Sequence, residues 1–119
     1  MPERATFPKT ERLQHGRQFR RVYDAGHRVA GPLAVLYWLK SPAPRAIGVV
    51  TGRKLGNAVQ RNRVRRLLRE AYRRHKHQLP DGLQLVVVAR RALVGQPYAR
   101  VEAEWLALCR QAGILSDES

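Results

Sequence analysis

Seven arginines stand within fourteen residues, from Arg61 to Arg74, and the only carboxylate among them is Glu70. A guanidinium is always charged and offers a planar fork of donors that fits a phosphate and stacks on a base. The chemistry such a run can do is to hold a polyanion. Residues for bond breaking are harder to find. Metal-dependent nucleases cluster carboxylates around one or two ions, whereas the nine acids here are scattered. Glu102 and Glu104 are close in sequence, but residues i and i+2 do not share a helix face. His75 and His77 have the same spacing. No Ser-His-Asp or Cys-His arrangement is present. We expect no catalytic residue and no metal site in this chain. The stretch "TGRKLGN" at 51–57 lacks the spacing of a phosphate loop; Gly52 and Gly56 let the backbone turn there, and Arg53 and Lys54 extend the basic run.

The elements that must carry these residues follow from periodicity. Phe19, Val22 and Tyr23 recur at helical spacing, predicting a first helix near 16–25, with Thr10 or His15 as its start and Gly26 as its stop. "RVAGPLAVLYWLK" reads as a strand pair or bent strand interrupted by Gly31-Pro32. Leu33, Val35, Tyr37 and Leu39 should face one way, and Ala34, Leu36 and Trp38 the other. "SPAP" is a turn, and "RAIGVVTG" at 45–52 is the next strand. Asn57 and Gln60 are spaced as a capping box for a long helix running to about His77, broken by "LPDG" at 79–82. "LQLVVVAR" at 83–90 is apolar enough for a strand buried on both faces. Pro97 suits the first turn of a last helix, in which Tyr98, Val101, Trp105, Leu108, Cys109 and Ala112 form a stripe closed by Gly113. Residues 1–9 read as an extended lead-in and 114–119 as a frayed tail. The order predicts one α/β (α+β) sandwich domain over residues 1–119, with three helices on a sheet of about four strands.

On the long helix, Val64, Leu67, Leu68, Ala71, Tyr72 and His75 fall within an arc of roughly 140° and form the core face. Arg61, Arg65, Arg66, Arg69, Arg73 and Lys76 fill a neighbouring arc, with Arg63 and Arg74 on the far flank. Like charges therefore stand at i and i+4 (Arg61–Arg65, Arg65–Arg69, Arg69–Arg73), which destabilises an isolated helix and which a phosphate partner would relieve. A merely solvated face would mix its signs. A membrane-surface role would need the apolar stripe that the sheet already uses. A DNA reader would show two short helices joined by a tight turn, but here the helix follows a strand and a glycine-containing turn.

Composition agrees. A net charge of +14 on 119 residues attracts a polyanion, and a hydrophobic fraction of 44% supplies a core. The lone Cys109 can form no intrachain disulfide, which fits a reducing cytoplasm, and we expect it in the core. The N-terminal stretch has no signal-peptide pattern. No run of about 18 apolar residues predicts a membrane span. A cytoplasmic location is the expectation.

"LGNAVQRNRVRRLLREAYR", with "RLQHGRQFRRVYDAG" before it and "LVVVARR" after it, resembles the protein subunit of bacterial ribonuclease P. The signature, G-N-A-V-x-R-N-R-x-[KR]-R, spans Gly56 to Arg66, and the likeness covers about residues 10–112. Gly52 and Arg53 stand where the family often carries Ser and Lys. The resemblance implies a left-handed strand–helix–strand crossover, against the usual hand. It implies an accessory role in removing the 5′ leader of precursor tRNA, with catalysis and most of the magnesium ions in the RNA subunit. It assigns Arg53, Lys54, Arg61, Asn62, Arg63, Arg65, Arg66 and Arg69 to the surface that meets that RNA. It assigns Phe19, Tyr23 and Tyr37, aided by Arg17 and Arg20, to a cleft for the single-stranded leader. Exposed aromatic faces stack bases without needing their identity, although these three could instead be core residues. The expected partners are the catalytic RNA and precursor tRNA, with neither DNA nor membrane. Composition alone also admits a basic structural RNA-binding protein of ribosomal type.

Overall fold

Three of the four strand segments are nearly continuous apolar runs, and they build a sheet with a core on each face. The computed structural model describes residues 11–115. The elements in chain order are α1 (Gly16–Ala25), β1 (His27–Ala30), β2 (Ala34–Lys40), β3 (Ala46–Val50), α2 (Ala58–His75), β4 (Leu83–Ala89) and α3 (Tyr98–Ala112). Single 3-10 turns lie at Arg53–Leu55, Lys76–Gln78 and Arg91–Leu93. The strand order is β1-β2-β4-β3. β2 pairs antiparallel with both β1 and β4, and β3 runs parallel to β4, so α2 is the crossover that joins them. This is the predicted α+β sandwich of three helices on a four-stranded sheet.

On one face, Leu36, Ile47, Leu85 and Val87 pack with Val64, Leu68 and Tyr72 of α2 and with Val101, Trp105 and Leu108 of α3. On the other face a smaller core forms from Leu13, Val22, Ala46 and Val86, flanked by Phe19, Tyr37, Leu39 and Val88. β4 contributes to both cores, which is why its sequence is a nearly continuous apolar run. Cys109 is fully buried in the larger core, and burial pushes its thiol up to about 12.

Local chemistry sets the helix ends. His15, not Thr10, caps α1, with Gln18 completing the box; Thr10 lies outside the described residues. Asn57 and Gln60 form the reciprocal box at α2: the Gln60 amide donates to Asn57 Oδ1 at 2.9 Å, and the Asn57 amide donates to Gln60 Oε1 at 2.9 Å. The α-helical part of α2 ends at His75, two residues before the expected end, and tightens into the 3-10 turn Lys76–Gln78.

Gly26 ends α1 as expected, in an extended conformation (φ −89°). Its role is space, because a Cβ there would strike the carbonyls of Val22 and Trp38. Two expectations need correction. Leu33 lies before β2 and packs in the larger core, apart from Tyr37 and Leu39. Ile114 is not frayed. Its amide donates to the Cys109 carbonyl at 3.1 Å while Gly113, at φ 76°, donates to Arg110 at 3.0 Å. That is a left-handed helix stop that folds Ile114 into the core. The segment just before α1 is paired as well. Arg12 bridges parallel to Ile47, and the Leu13 amide donates to the Ile47 carbonyl at 3.0 Å, on the free edge of β3. Residues 1–9 and 116–119 lie outside the described residues.

Candidate nucleic-acid interface

α2 buries Val64, Leu68, Ala71 and Tyr72, as the wheel requires. Leu67 and His75 are half-buried at the margin of that face. Its charged face divides into two halves of different character. In the C-terminal half, both oxygens of Glu70 are taken: Arg73 donates at 2.9 and 2.6 Å, and Arg74 donates at 2.8 Å. These contacts hold the Glu70 carboxyl down to about 2. His75 Nε2 lies 2.8 Å from Glu102 Oε2 on α3. Lys76 Nζ lies 2.6 Å from Glu11 Oε1.

The N-terminal half has no acid in its first turn. Arg61 donates to the Gly56 carbonyl at 3.1 Å, and Arg63 crosses to the Gln96 carbonyl at 3.2 Å. Arg65 hydrogen-bonds to Thr51 Oγ1 and Asn62 Oδ1, tying the helix to the turn that presents the exposed Arg53 and Lys54. Cations at a helix N-terminus oppose the helix dipole, so this half carries an electrostatic cost that an anion would remove.

Asn62, Arg65, Arg66, Arg69, Glu70 and Arg73 line one groove, and Arg12 forms its other wall. Of the residues predicted for this surface, Arg61 and Arg63 lie outside that lining, on the flanks, and Arg53 and Lys54 lie beyond its N-terminal end. Arg12 was missed by sequence reasoning. Burial, then the nearby Arg12 and Arg65, lower the pKa of Arg69, so these guanidiniums share one electrostatic environment.

The second predicted site is on the opposite face. Phe19, Arg20 and Tyr23 line a shallow groove on α1 with Gly16 and Asp24; Arg17 is exposed outside that lining. The Tyr23 and Tyr37 rings meet edge to face, with centroids 4.8 Å apart. Tyr23 is 38% exposed. Phe19 and Tyr37 are half-buried against the smaller core, and the Phe19 ring covers Gly48 so closely that a Cβ there would collide with it. The cluster is therefore part core and part surface.

Among the described residues, no three His, Cys, Asp or Glu side chains come together as a metal seat. Glu102 and Glu104 diverge as their spacing requires. Glu102 faces His75 and Tyr98. Glu104 is buried, its Oε2 accepting the amides of Leu33 at 2.8 Å and Ala34 at 3.1 Å. Among the described residues no helix is long and apolar enough to cross a membrane.

Comparison with known proteins gives the same picture over nearly the whole chain. The ribonuclease P protein component of Symbiobacterium thermophilum is 39% identical over 112 residues, covering 92% of this chain and 97% of that protein. A mutant of the Staphylococcus aureus RNase P protein superposes with a TM-score of 0.83 at 28% identity, covering 90% of this chain and 92% of that one. The RNase P protein from Thermotoga maritima superposes with a TM-score of 0.77 at 29% identity, covering 85% and 96%. The family model for ribonuclease P matches residues 7–113, and the chain belongs to that family as a bacterial-type ribonuclease P protein component.

Proposed function

We propose that this chain acts as the RNA-binding subunit of a ribonuclease P holoenzyme and does not itself cleave RNA. The N-terminal half of α2, with Arg53 and Lys54 beside it, meets the phosphates of a catalytic RNA subunit. The groove of Phe19, Arg20 and Tyr23, with Tyr37 behind it and Arg17 at its edge, takes the single-stranded 5′ leader of precursor tRNA. The observation that carries this reading is the division of α2. Its C-terminal half is neutralised by Glu70, Glu102 and Glu11, whereas its N-terminal half presents arginines with no acid in the first turn.

Magnesium is assigned to the RNA. Among the described residues, the carboxylates near both grooves are engaged with arginine, lysine or histidine, apart from the exposed Asp24. They form no three-ligand set among the described residues, so the donor chemistry does not fit a resident divalent ion. The protein's contribution is to neutralise phosphate charge and to orient the leader, with the holoenzyme acting in the cytoplasm.

Reconstitution tests the reading. Added to a bacterial ribonuclease P RNA at low magnesium, the protein should raise 5′ processing of precursor tRNA. Binding should weaken linearly in log salt, with a slope reporting several neutralised phosphates. No stimulation of processing would refute the assignment.

A further inference from the structure

Arg65 is held from two sides. One terminal nitrogen of its guanidinium, Nη1, donates to the hydroxyl of Thr51, and the other, Nη2, donates to Asn62 Oδ1. Thr51 directly follows β3, and Asn62 stands one turn back along α2. The two acceptors come from different elements, so the guanidinium is fixed relative to both the sheet and the helix. Arg65 is half-buried and lines the α2 groove. A guanidinium carries N–H donors beyond the two used here. Packing does not call for a hydroxyl at position 51. Thr51 is itself half-buried and lies past Val50, where the pairing of β3 with β4 ends.

Both acceptors are neutral. That sets Arg65 apart from Arg73 and Arg74, which donate to the carboxylate of Glu70. A carboxylate orients a guanidinium and offsets its charge. A hydroxyl and an amide oxygen orient it and leave the charge in place. Arg61 and Arg63 follow the same pattern, donating to the backbone carbonyls of Gly56 and Gln96. An untethered arginine loses rotamer freedom when it clamps a phosphate. An arginine bracketed in the free protein has lost that freedom already on folding, so more of the phosphate contact appears as affinity. We propose that Thr51 is a positioning residue of the RNA-subunit interface: its hydroxyl, together with Asn62, holds the Arg65 fork ready for a backbone phosphate.

This rests on the reading of α2 as the surface that meets the RNA subunit, and the experiment separates the two. Binding of the full chain to a bacterial ribonuclease P RNA is measured against salt, with thermal melts alongside. Thr51→Val keeps the β-branched shape and removes the hydroxyl. It should weaken binding by about fivefold, the worth of one hydrogen bond. The salt slope should not change, because no charge is lost. Thr51→Ser keeps the hydroxyl and should bind as wild type; a loss as large as that of Thr51→Val would overturn the proposal. Arg65→Ala should lower the salt slope by about one. In the Arg65→Ala background, Thr51→Val should have no further effect, because the two residues act as one unit. Arg65→Lys should keep the slope and lose affinity, since one ammonium cannot span both acceptors as the fork does. Wild-type binding by Thr51→Val refutes the proposal, and so does an equal loss with and without Arg65. If Thr51→Val fails to fold, Arg65→Lys decides, because wild-type affinity there would mean that the orientation of the fork is immaterial. In Arg53→Ala/Lys54→Ala protein, Thr51→Val should still cost about fivefold; no cost there would assign the hydroxyl to the turn and overturn the role at Arg65. If Arg65→Ala weakens binding and Thr51→Val does not, only this proposal falls. If Arg65→Ala has no effect, the reading of α2 falls with it.

Discussion

The ring of Phe19 rests on Gly48, the residue at the centre of β3, with no room for a methyl group between them. A residue placed in the leader groove by family resemblance is thereby also a pillar of the smaller core. Truncating a buried Phe costs ~3–5 kcal/mol. For this half-buried ring we expect Phe19→Ala to cost ~2 kcal/mol by urea denaturation. Gly48→Ala should lower stability too, by displacing the ring. Loss of leader binding in either variant would then mix two causes.

Tyr23 separates them. It is the more exposed of the pair that meets edge to face with Tyr37, and burial, then the neighbouring Tyr37, raise its pKa. Tyr23→Ala should leave the melting transition close to wild type and reduce the preference for precursor over mature tRNA by several-fold, in keeping with ~1–3 kcal/mol per stacked base. Affinity for the RNA subunit should be unchanged. Competition between precursor and mature tRNA for the reconstituted enzyme reads this directly.

Arg65→Ala and Arg69→Ala should behave in the opposite way. Both residues line the α2 groove away from the core, and each removal lowers like-charge repulsion along the helix. Stability should therefore stay within about 0.5 kcal/mol of wild type, while RNA-subunit affinity falls and the salt slope drops by about one per residue. Filter binding at several salt concentrations, alongside thermal melts, tests both halves.

The parts of this molecule that obey local rules were legible in the sequence. The α2 cap is a reciprocal box between neighbours three residues apart, and β4 is an apolar run because it is covered on both faces. The charged face of α2 follows from helical spacing alone. What escaped depends on pairing between distant segments. Nothing near Arg12 in the chain announces that its strand edge will lie beside α2. Its only signal was Leu13, an apolar residue in the otherwise polar stretch 9–15. Nor does the helical stripe of α3 tell that Glu104 points inward, because the amides it satisfies lie some seventy residues away. Phe19 was ambiguous for a physical reason: an aromatic at the mouth of a groove serves packing and stacking with the same ring.

Glu70 gives the pH dependence. Its carboxyl is held near 2 by Arg73 above all, against the opposing effect of burial, with Arg74 adding a smaller pull in the same direction as Arg73. The folded pKa lies below the unfolded one, so its contribution is complete above about pH 4.5 and is lost as pH falls towards 2. The pair is largely solvent-screened, so we expect ~1 kcal/mol from it. Glu70→Gln should flatten the acid limb of the stability curve between those limits. At neutral pH it should strengthen RNA binding slightly, because Arg73 and Arg74 lose their competing anion. Urea midpoints from pH 2 to 6, with one binding isotherm at pH 7, suffice.

Glu104 carries the largest expected loss of stability outside the apolar core. Its side chain is 3% exposed, and a single oxygen accepts the amides of Leu33 and Ala34 where the chain enters β2. Those amides are buried and have no other role in the ladder with β4, which begins at Ala34. Glu104→Ala leaves two buried donors without an acceptor, each costing ~1–3 kcal/mol, and opens a void beneath β2. Glu104→Gln retains a carbonyl oxygen of the same reach, so its loss should be well under half that of the alanine variant. The position is remote from both RNA grooves. Glu104→Gln should accordingly bind the RNA subunit with the wild-type salt slope even as its urea midpoint falls, whereas a changed slope would place Glu104 in the RNA interface instead.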